Sequence, residues 1–152
     1  MSTILFLCNF QQHGDKITVK CMIQMKNYTG EGAYIVISLL NKNNEYLETL
    51  YVQGEDTQWY SDLTEWWKFQ GKIQQDIDAL TGATLSGGNR AISLLKIDSE
   101  KIDKDYSLRF ETAVEDQEYY KNDLEFALTS KNLKSKIEGK GFIRYVRLMA
   151  QN

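Results

Sequence analysis

The stretch that decides the fold is ITVKCMIQM, residues 17–25, in which apolar and polar side chains alternate. Every odd position from Ile17 to Met25 is apolar, and most of the even positions are polar. Successive side chains of a β-strand point to opposite faces, so this spacing is typical of a strand with one buried face. The sequence therefore predicts a half-buried strand here.

The residues just before this strand predict a tight hairpin. Gly14 and Asp15 suit a two-residue turn, because glycine adopts the positive φ that such turns need. We expect the turn to join strands at 3–12 and 16–26, with their apolar faces coinciding. The facing pairs would be Phe10 with Val19, Cys8 with Cys21 and Phe6 with Ile23. The two cysteines could form a disulfide, but we favour two buried reduced thiols because directly opposed strand positions often strain such a bridge.

Further strands are predicted by short apolar or alternating runs between polar turns. The chain contains no proline, so its turns must be made by Gly, Asn and Asp, as at Asn43-Asn44. Many short strands joined in this way favour one antiparallel, immunoglobulin-like β-sandwich domain over residues 1–152. The predicted strands are AYIVISLLN (33–41), YLETLYV (46–52), RAISLLKI (90–97), YSLRFETAVE (106–115), DLEFALTS (123–130) and FIRYVRLMA (142–150).

One short helix is predicted in QWYSDLTEWWKFQ, residues 58–70. Trp59, Leu63 and Trp66 recur at helical spacing, and Tyr60 with Trp67 widens the same face. The residues suited to its N-terminus are Ser61 or Asp62 as the cap, with Glu65 completing a capping box.

Charge and hydropathy exclude some classes of function. The 18 basic and 21 acidic side chains give a net charge of -3, and the basic residues are scattered along the sequence. Nucleic-acid binding needs a basic footprint, so we expect no nucleic-acid partner. No apolar run approaches the about 20 residues of a membrane span. The start MSTILFLCNF lacks the basic region of a secretory signal, so the sequence as given shows no signal peptide.

The motifs of common enzymes are missing from the sequence. There is no G-x-G-x-x-G, Walker loop, H-E-x-x-H or C-x-x-C, and the single histidine, His13, lies beside the predicted turn. A nucleophile with a rigidly held base is therefore not evident. Acidic residues are abundant, and Asp76 and Asp78 are the best placed for acid chemistry, but charged residues at strand ends are usually solvated. We do not expect a stand-alone enzyme.

The segment DALTGATLSGGN, residues 78–89, is the best candidate for a functional site. Small residues lie at 81–84, and Thr84 offers a hydroxyl that could be esterified. Gly82, Gly87 and Gly88 permit backbone angles that larger residues avoid. The alternative is a plain connector to the next strand, for which Gly, Ser, Thr and Asn are also the expected residues.

The first seven residues of this segment, DALTGAT, resemble the D-x-x-[ST]-G-A-[ST] signature of bacterial proteins that receive flavin mononucleotide (FMN) covalently. The resemblance implies that a flavin transferase joins the FMN phosphate to Thr84. Asp78, Thr81, Gly82 and Ala83 would belong to the pattern that the transferase recognises. Apart from this FMN, the sequence suggests no cofactor.

A wider resemblance covers most of the chain. The strand region GAYIVISLLNKNNEYLETL, the tryptophan helix, DALTGAT and DYSLRFETAVE are together similar to the predicted periplasmic domain-of-unknown-function family 2271. That resemblance implies an immunoglobulin-like sandwich in the bacterial periplasm or cell envelope, met beside flavin-transfer and membrane electron-transfer components. The chain departs from the pattern after GAT, where Asn89 and Leu95 stand in place of a histidine and a tryptophan.

Two functions follow as hypotheses. The first is a cell-envelope accessory domain that carries FMN on Thr84 for electron transfer, with a flavin transferase and an envelope redox protein as partners. In that case Trp59, Trp66 and Trp67 could stack on the flavin. The second is a cofactor-free binding or structural module that contacts its partner through its loops. The tryptophans would then form an apolar plug over the sandwich. The sequence leaves the oligomeric state open.

Overall fold

The computed structural model describes residues 14–77 and 80–151, which fold into two packed β-sheets and one α-helix. The helix α1 is Thr64–Ile73, and short 3₁₀ turns lie at Thr57–Asp62, Ser99–Lys101 and Asn132–Lys134. The strands are β1 (Lys16–Met25), β2 (Tyr34–Leu40), β3 (Tyr46–Gln53), β4 (Thr81–Gly82), β5 (Arg90–Asp98), β6 (Ser107–Ala113), β7 (Tyr119–Ala127), β8 (Lys136–Glu138) and β9 (Ile143–Ala150).

The four-stranded sheet has the order β5-β1-β9-β8, and the five-stranded sheet has the order β4-β3-β2-β6-β7. Neighbouring strands are antiparallel, except that the two residues of β4 run parallel to β3. The predicted all-β sandwich with one short helix is confirmed. The predicted strand at 3–12 lies outside the described residues, and the other predicted strands are present. The sequence did not reveal β4 and β8, and β7 begins at Tyr119 rather than at residue 123.

The predicted opening hairpin is wrong in its pairing. Residues 3–12 lie outside the described residues, but both edges of β1 are occupied from Val19 to Gln24 by β5 and β9. Cys21 faces Ser93 on one side and Leu148 on the other. Both strand edges at Cys21 are therefore occupied, which overturns the predicted pairing with Cys8; Cys8 itself lies outside the described residues. β1 pairs with β5 and β9, which are distant in sequence, rather than with a strand joined to it by a turn at Gly14-Asp15.

The main core lies between the two sheets and contains the apolar side of β1. Cys21 is fully buried there as a free thiol. The largest fully buried members of this core include Ile23, Met25, Ile35, Ile37, Leu39, Leu95, Ile97, Leu108 and Phe110. Alternation along β1 therefore correctly predicted which face is buried.

A second core lies on the other face of the five-stranded sheet, beneath the helical segment 57–73. Val36 of β2 and Val52 of β3 meet Tyr60, Leu63 and Trp66 there. Since Ile35 and Ile37 fill the main core, β2 is buried on both faces, which explains its continuous apolar run. Burial of this sheet face requires a covering layer, and the helical segment supplies it.

The helix does not begin with the cap that the sequence predicted. Its N-cap position is Leu63, which provides no side-chain cap, while Ser61 and Asp62 belong to the preceding 3₁₀ turn. Backbone N–H groups of the first turn instead bond residues of the sheet: Glu65 N–H donates to the Tyr119 hydroxyl (3.2 Å), and Trp66 N–H donates to Glu111 (3.3 Å). The cap thus comes from tertiary contacts rather than from local sequence.

Replacing Trp66 with alanine should lower the free energy of unfolding by about 3–5 kcal/mol, the usual cost of truncating a buried aromatic residue. The indole is fully buried, and its N–H donates to Thr49 Oγ1 at 2.8 Å. Urea denaturation followed by far-ultraviolet circular dichroism measures the change. Trp67→Ala is the matched control and should cost much less, because that neighbouring residue is 41% exposed. Equal losses in the two variants would contradict the role of Trp66 as the anchor of the helix.

Candidate functional site

The TGAT part of the motif begins a connector between the two sheets. Thr81 and Gly82 form β4 at the edge of the five-stranded sheet, beside Val52 and Gln53, and the chain then crosses to β5 at the edge of the other sheet. The crossing takes place at the end of the sandwich where β2 begins and β3 ends. Asp78 lies outside the described residues, so its part in the motif stays a prediction.

The connector is held on both sides of Thr84. The Gly54 N–H donates to the Gly82 carbonyl, and the Gln53 side-chain amide donates to the Ala83 carbonyl. On the other side, Leu85 and Ala33 exchange backbone hydrogen bonds of 3.1 and 2.8 Å. These bonds fix the backbone immediately before and after Thr84.

The orientation of Thr84 follows from its buried neighbour. Leu85 is only 6% exposed and packs in the main core. Because side chains alternate along an extended chain, this directs Thr84 outward. Thr84 and Ala83 are exposed residues, and the Thr84 side chain lies beside Gly32.

Two glycines leave the space that the connector needs. A β-carbon at Gly32 would collide with the side chain of Thr84, and one at Gly82 would collide with the hydroxyl of Tyr51. Tyr28 adds a further contact, since its hydroxyl lies 3.0 Å from the Leu85 carbonyl. Sequence reasoning missed Gly32, Tyr51 and Tyr28, because nothing in the local pattern shows that they meet the motif.

The three tryptophans are placed differently from one another. Trp66 is fully buried, so the expectation that it could stack on a flavin is wrong. Trp67 lines an open cleft of about 430 Å³ together with Tyr60, Gln74 and Ile77. Trp59 is half-buried and borders a separate cleft of about 420 Å³. The tryptophans thus contribute both to the plug over the sheet and to its surface.

A buried carboxylate lies at the start of the helix, away from the motif. Glu111 is fully buried and accepts hydrogen bonds from the hydroxyls of Tyr46 (2.7 Å) and Tyr119 (2.5 Å), besides the Trp66 N–H. Burial raises the pKa of Glu111, while the two hydroxyls and the nearby Arg109 partly offset that effect. Because Glu111 bonds the Trp66 N–H directly and Tyr119 bonds both Glu111 and the Glu65 N–H, its position is explained by capping of the helix. A glutamate in the middle of a predicted strand, LRFETA at 108–113, was the available sequence signal.

Of Asp76, Asp78 and His13, which the sequence singled out, only Asp76 is among the described residues. His13 lies outside them, and Asp76 is exposed after the helix. Within residues 14–77 and 80–151, no cluster of three or more His, Cys, Asp or Glu side chains is suited to hold a metal ion. The helix in this described part of the chain is too short to cross a membrane.

The protein is an all-β domain: two β-sheets form a sandwich, and one short helix covers an outer face. The candidate site is the exposed connector that carries Thr84. The family model of a predicted periplasmic protein family, DUF2271, matches residues 16–145, so the chain belongs to that family. This membership places the protein in the periplasm or cell envelope. Comparisons with curated proteins and with solved structures gave no significant match.

Replacing Glu111 with glutamine should remove a pH dependence of stability. The folded-state pKa of Glu111 is raised above its ordinary value of 4.5, so the folded state binds more protons than the unfolded state between these two values. In that window the contribution of Glu111 makes the free energy of unfolding fall as pH rises. Urea denaturation at a series of pH values, compared between the native chain and Glu111→Gln, measures this contribution.

The matched control is Glu118→Gln, which changes an exposed acid on the loop before β7. Its stability should follow the same pH profile as that of the native chain in the acidic window. Parallel profiles for the native chain and Glu111→Gln would show that the proposed raised pKa is wrong.

Proposed function

We propose that this protein is a cell-envelope accessory domain that carries FMN covalently on Thr84 and takes part in electron transfer. The observation that supports it is that Thr84 is an exposed residue on a backbone fixed at Ala83 and Leu85. The Thr84 hydroxyl occupies the acceptor position of the sequence DALTGAT, which resembles the covalent-FMN signature. Exposure matters because a transferase must reach the acceptor oxygen.

The residues around Thr84 fit an attached phosphate. Gly32 has no side chain where it adjoins Thr84, and Ala83 is small and exposed. The flavin phosphate would be transferred from flavin adenine dinucleotide: the Thr84 oxygen would bond to the flavin-side phosphorus, the bond between the two phosphates would break, AMP would leave, and the Thr84 proton would pass to solvent. Leu85 buried in the core would keep this attachment point in place.

The chain itself would contribute position and surroundings, since the electron chemistry belongs to the flavin when it is bound. Trp67 presents aromatic surface in the open cleft, which is lined also by Ile77, the residue directly before the motif in the sequence. An aromatic side chain in such a position can stack on a flat ring. The proposed partners are a flavin transferase and an envelope redox protein.

A cofactor-free binding module is the second candidate function. It is favoured by the way the loops at this end of the sandwich are tied to each other. The Gln117 side-chain amide donates to the Thr29 carbonyl at 2.7 Å, and so joins the loop after β6 to the loop after β1. Loops held on a rigid scaffold are suited to contact a partner protein or small ligand.

Coexpression with an active flavin transferase separates the two candidates. We expect the purified chain to gain the mass of one FMN less one water and to absorb visible light. Thr84→Ser keeps a hydroxyl and should be labelled, whereas Thr84→Ala should not. Intact-mass spectrometry with flavin fluorescence after denaturing electrophoresis measures the label.

Thr29→Ala is the matched control, because it removes an exposed threonine at the same end of the sandwich. It should be labelled like the native chain. An unmodified native chain beside a transferase that labels its own known substrate would reject the FMN proposal and leave the binding module.

A further inference from the structure

The outer face of the four-stranded sheet collects basic residues that are scattered in the sequence. They come from four strands and share the solvent side, because they occupy alternate positions opposite to the buried core residues. Six basic side chains lie on this face: Lys16, Lys20, Arg90, Lys96, Lys136 and Arg147. Asp98 and Glu138 lie at its margins, and Glu48 and Asp76 border it where they line a cleft with Lys16 and Lys96. In a chain with a net charge of -3, this face has the opposite sign.

Exposed apolar side chains stand between these cations. Ile92 is 57% exposed, Leu94 is 55% exposed and Met149 is 36% exposed. Met22 adds a half-buried thioether beside Ile92. Leu95 and Ile97 already supply the core side of β5. The fold therefore does not require the large apolar side chains of Ile92 and Leu94 on the opposite, solvent-facing side of this strand.

The strand register interleaves the two kinds of side chain. One row across the sheet reads Ile92, Met22, Arg147 and Lys136, and the next reads Leu94, Lys20 and Met149. Met22 lies beside Arg147, Lys20 lies between Leu94 and Met149, and Ile92 lies two residues from Arg90 on the same face of β5. We call this surface the basic-apolar face.

We propose that the basic-apolar face binds the surface of a lipid bilayer that contains anionic headgroups. Lysine and arginine can keep their charged ends at the level of lipid phosphates while their stems and neighbouring apolar groups enter the acyl boundary. An interleaved pattern meets both needs at once. The charge complementarity supplies the attraction to anionic lipid.

The same pattern fits other occupants less well. The centre of a protein-protein interface is depleted in lysine, whereas Lys20 lies in the middle of this face, between Leu94 and Met149. Packing against a second copy of the chain would bring like charges together. The proposal does not depend on FMN at Thr84, because no residue of the face belongs to the motif.

Vesicle cosedimentation tests the proposal with the full chain made without a flavin transferase. We expect binding to vesicles of phosphatidylcholine mixed with phosphatidylglycerol, little binding to phosphatidylcholine alone, and release as salt is added. Lys96→Gln with Arg147→Gln should weaken binding about 25-fold, from about fivefold for each cation. Ile92→Ser with Leu94→Ser should also weaken it, although no charge changes.

Matched controls alter the same chemistry elsewhere on the surface. Lys42→Gln with Lys104→Gln changes two exposed cations beside a cleft at the other end of the sandwich, and Leu47→Ser changes a 39% exposed leucine on β3. Both controls should bind like the native chain, and circular dichroism should be the same for all variants.

Three results would overturn the proposal. One is the absence of binding to anionic vesicles at low salt, and another is an equal loss in the Lys42 and Lys104 control. The third is a concentration-dependent dimer in analytical ultracentrifugation that Ile92→Ser with Leu94→Ser abolishes, which would assign the face to a second copy of the chain.

Discussion

Burial of both faces of β2 is the constraint on which the rest of the molecule depends. Ile35 and Ile37 fill the space between the sheets, while Val36 points to the opposite side and needs a cover of its own. The helical segment 57–73 provides that cover, and the chain must then return to the sheet edge, where it adds β4. The connector that carries Thr84 starts from this return, so the position of the candidate site follows from the need to cover one valine-lined sheet face.

The helix that covers this face is joined to the sheet by polar as well as apolar contacts. The positive end of a helix favours a negative charge, and the first N–H groups of a helix have no partner within it. Glu111 and Tyr119 of the sheet meet both needs for α1. A buried carboxylate is costly unless it is hydrogen-bonded, and here two hydroxyls and one N–H bond it. The helix is thereby fixed in one position on the sheet.

Much of the fold could be predicted from the sequence because alternation reports which side of a strand is buried. The alternation along β1 correctly predicted its buried face, and the strands β5 and β9 were also predicted correctly. Alternation does not report which strand is the neighbour, so the hairpin register at Cys21 was wrong. The cap at Glu111 and the basic-apolar face were missed for a similar reason, since their residues meet only after distant strands pair. The exposure of Thr84 could be predicted because the residues around it are small and typical of an accessible loop. The contact between Thr84 and Gly32 could not be predicted, because the two residues are distant in sequence.

The position of Cys21 has a consequence for the chemical durability of the protein in its compartment. Burial raises the pKa of this thiol to about 12, so almost none of it is ionised near neutral pH. Thiol exchange and most oxidation proceed through the thiolate. In the oxidising environment of a cell envelope, Cys21 is therefore shielded by packing from the enzymes and oxidants that convert accessible cysteines, and it persists as an inert core side chain.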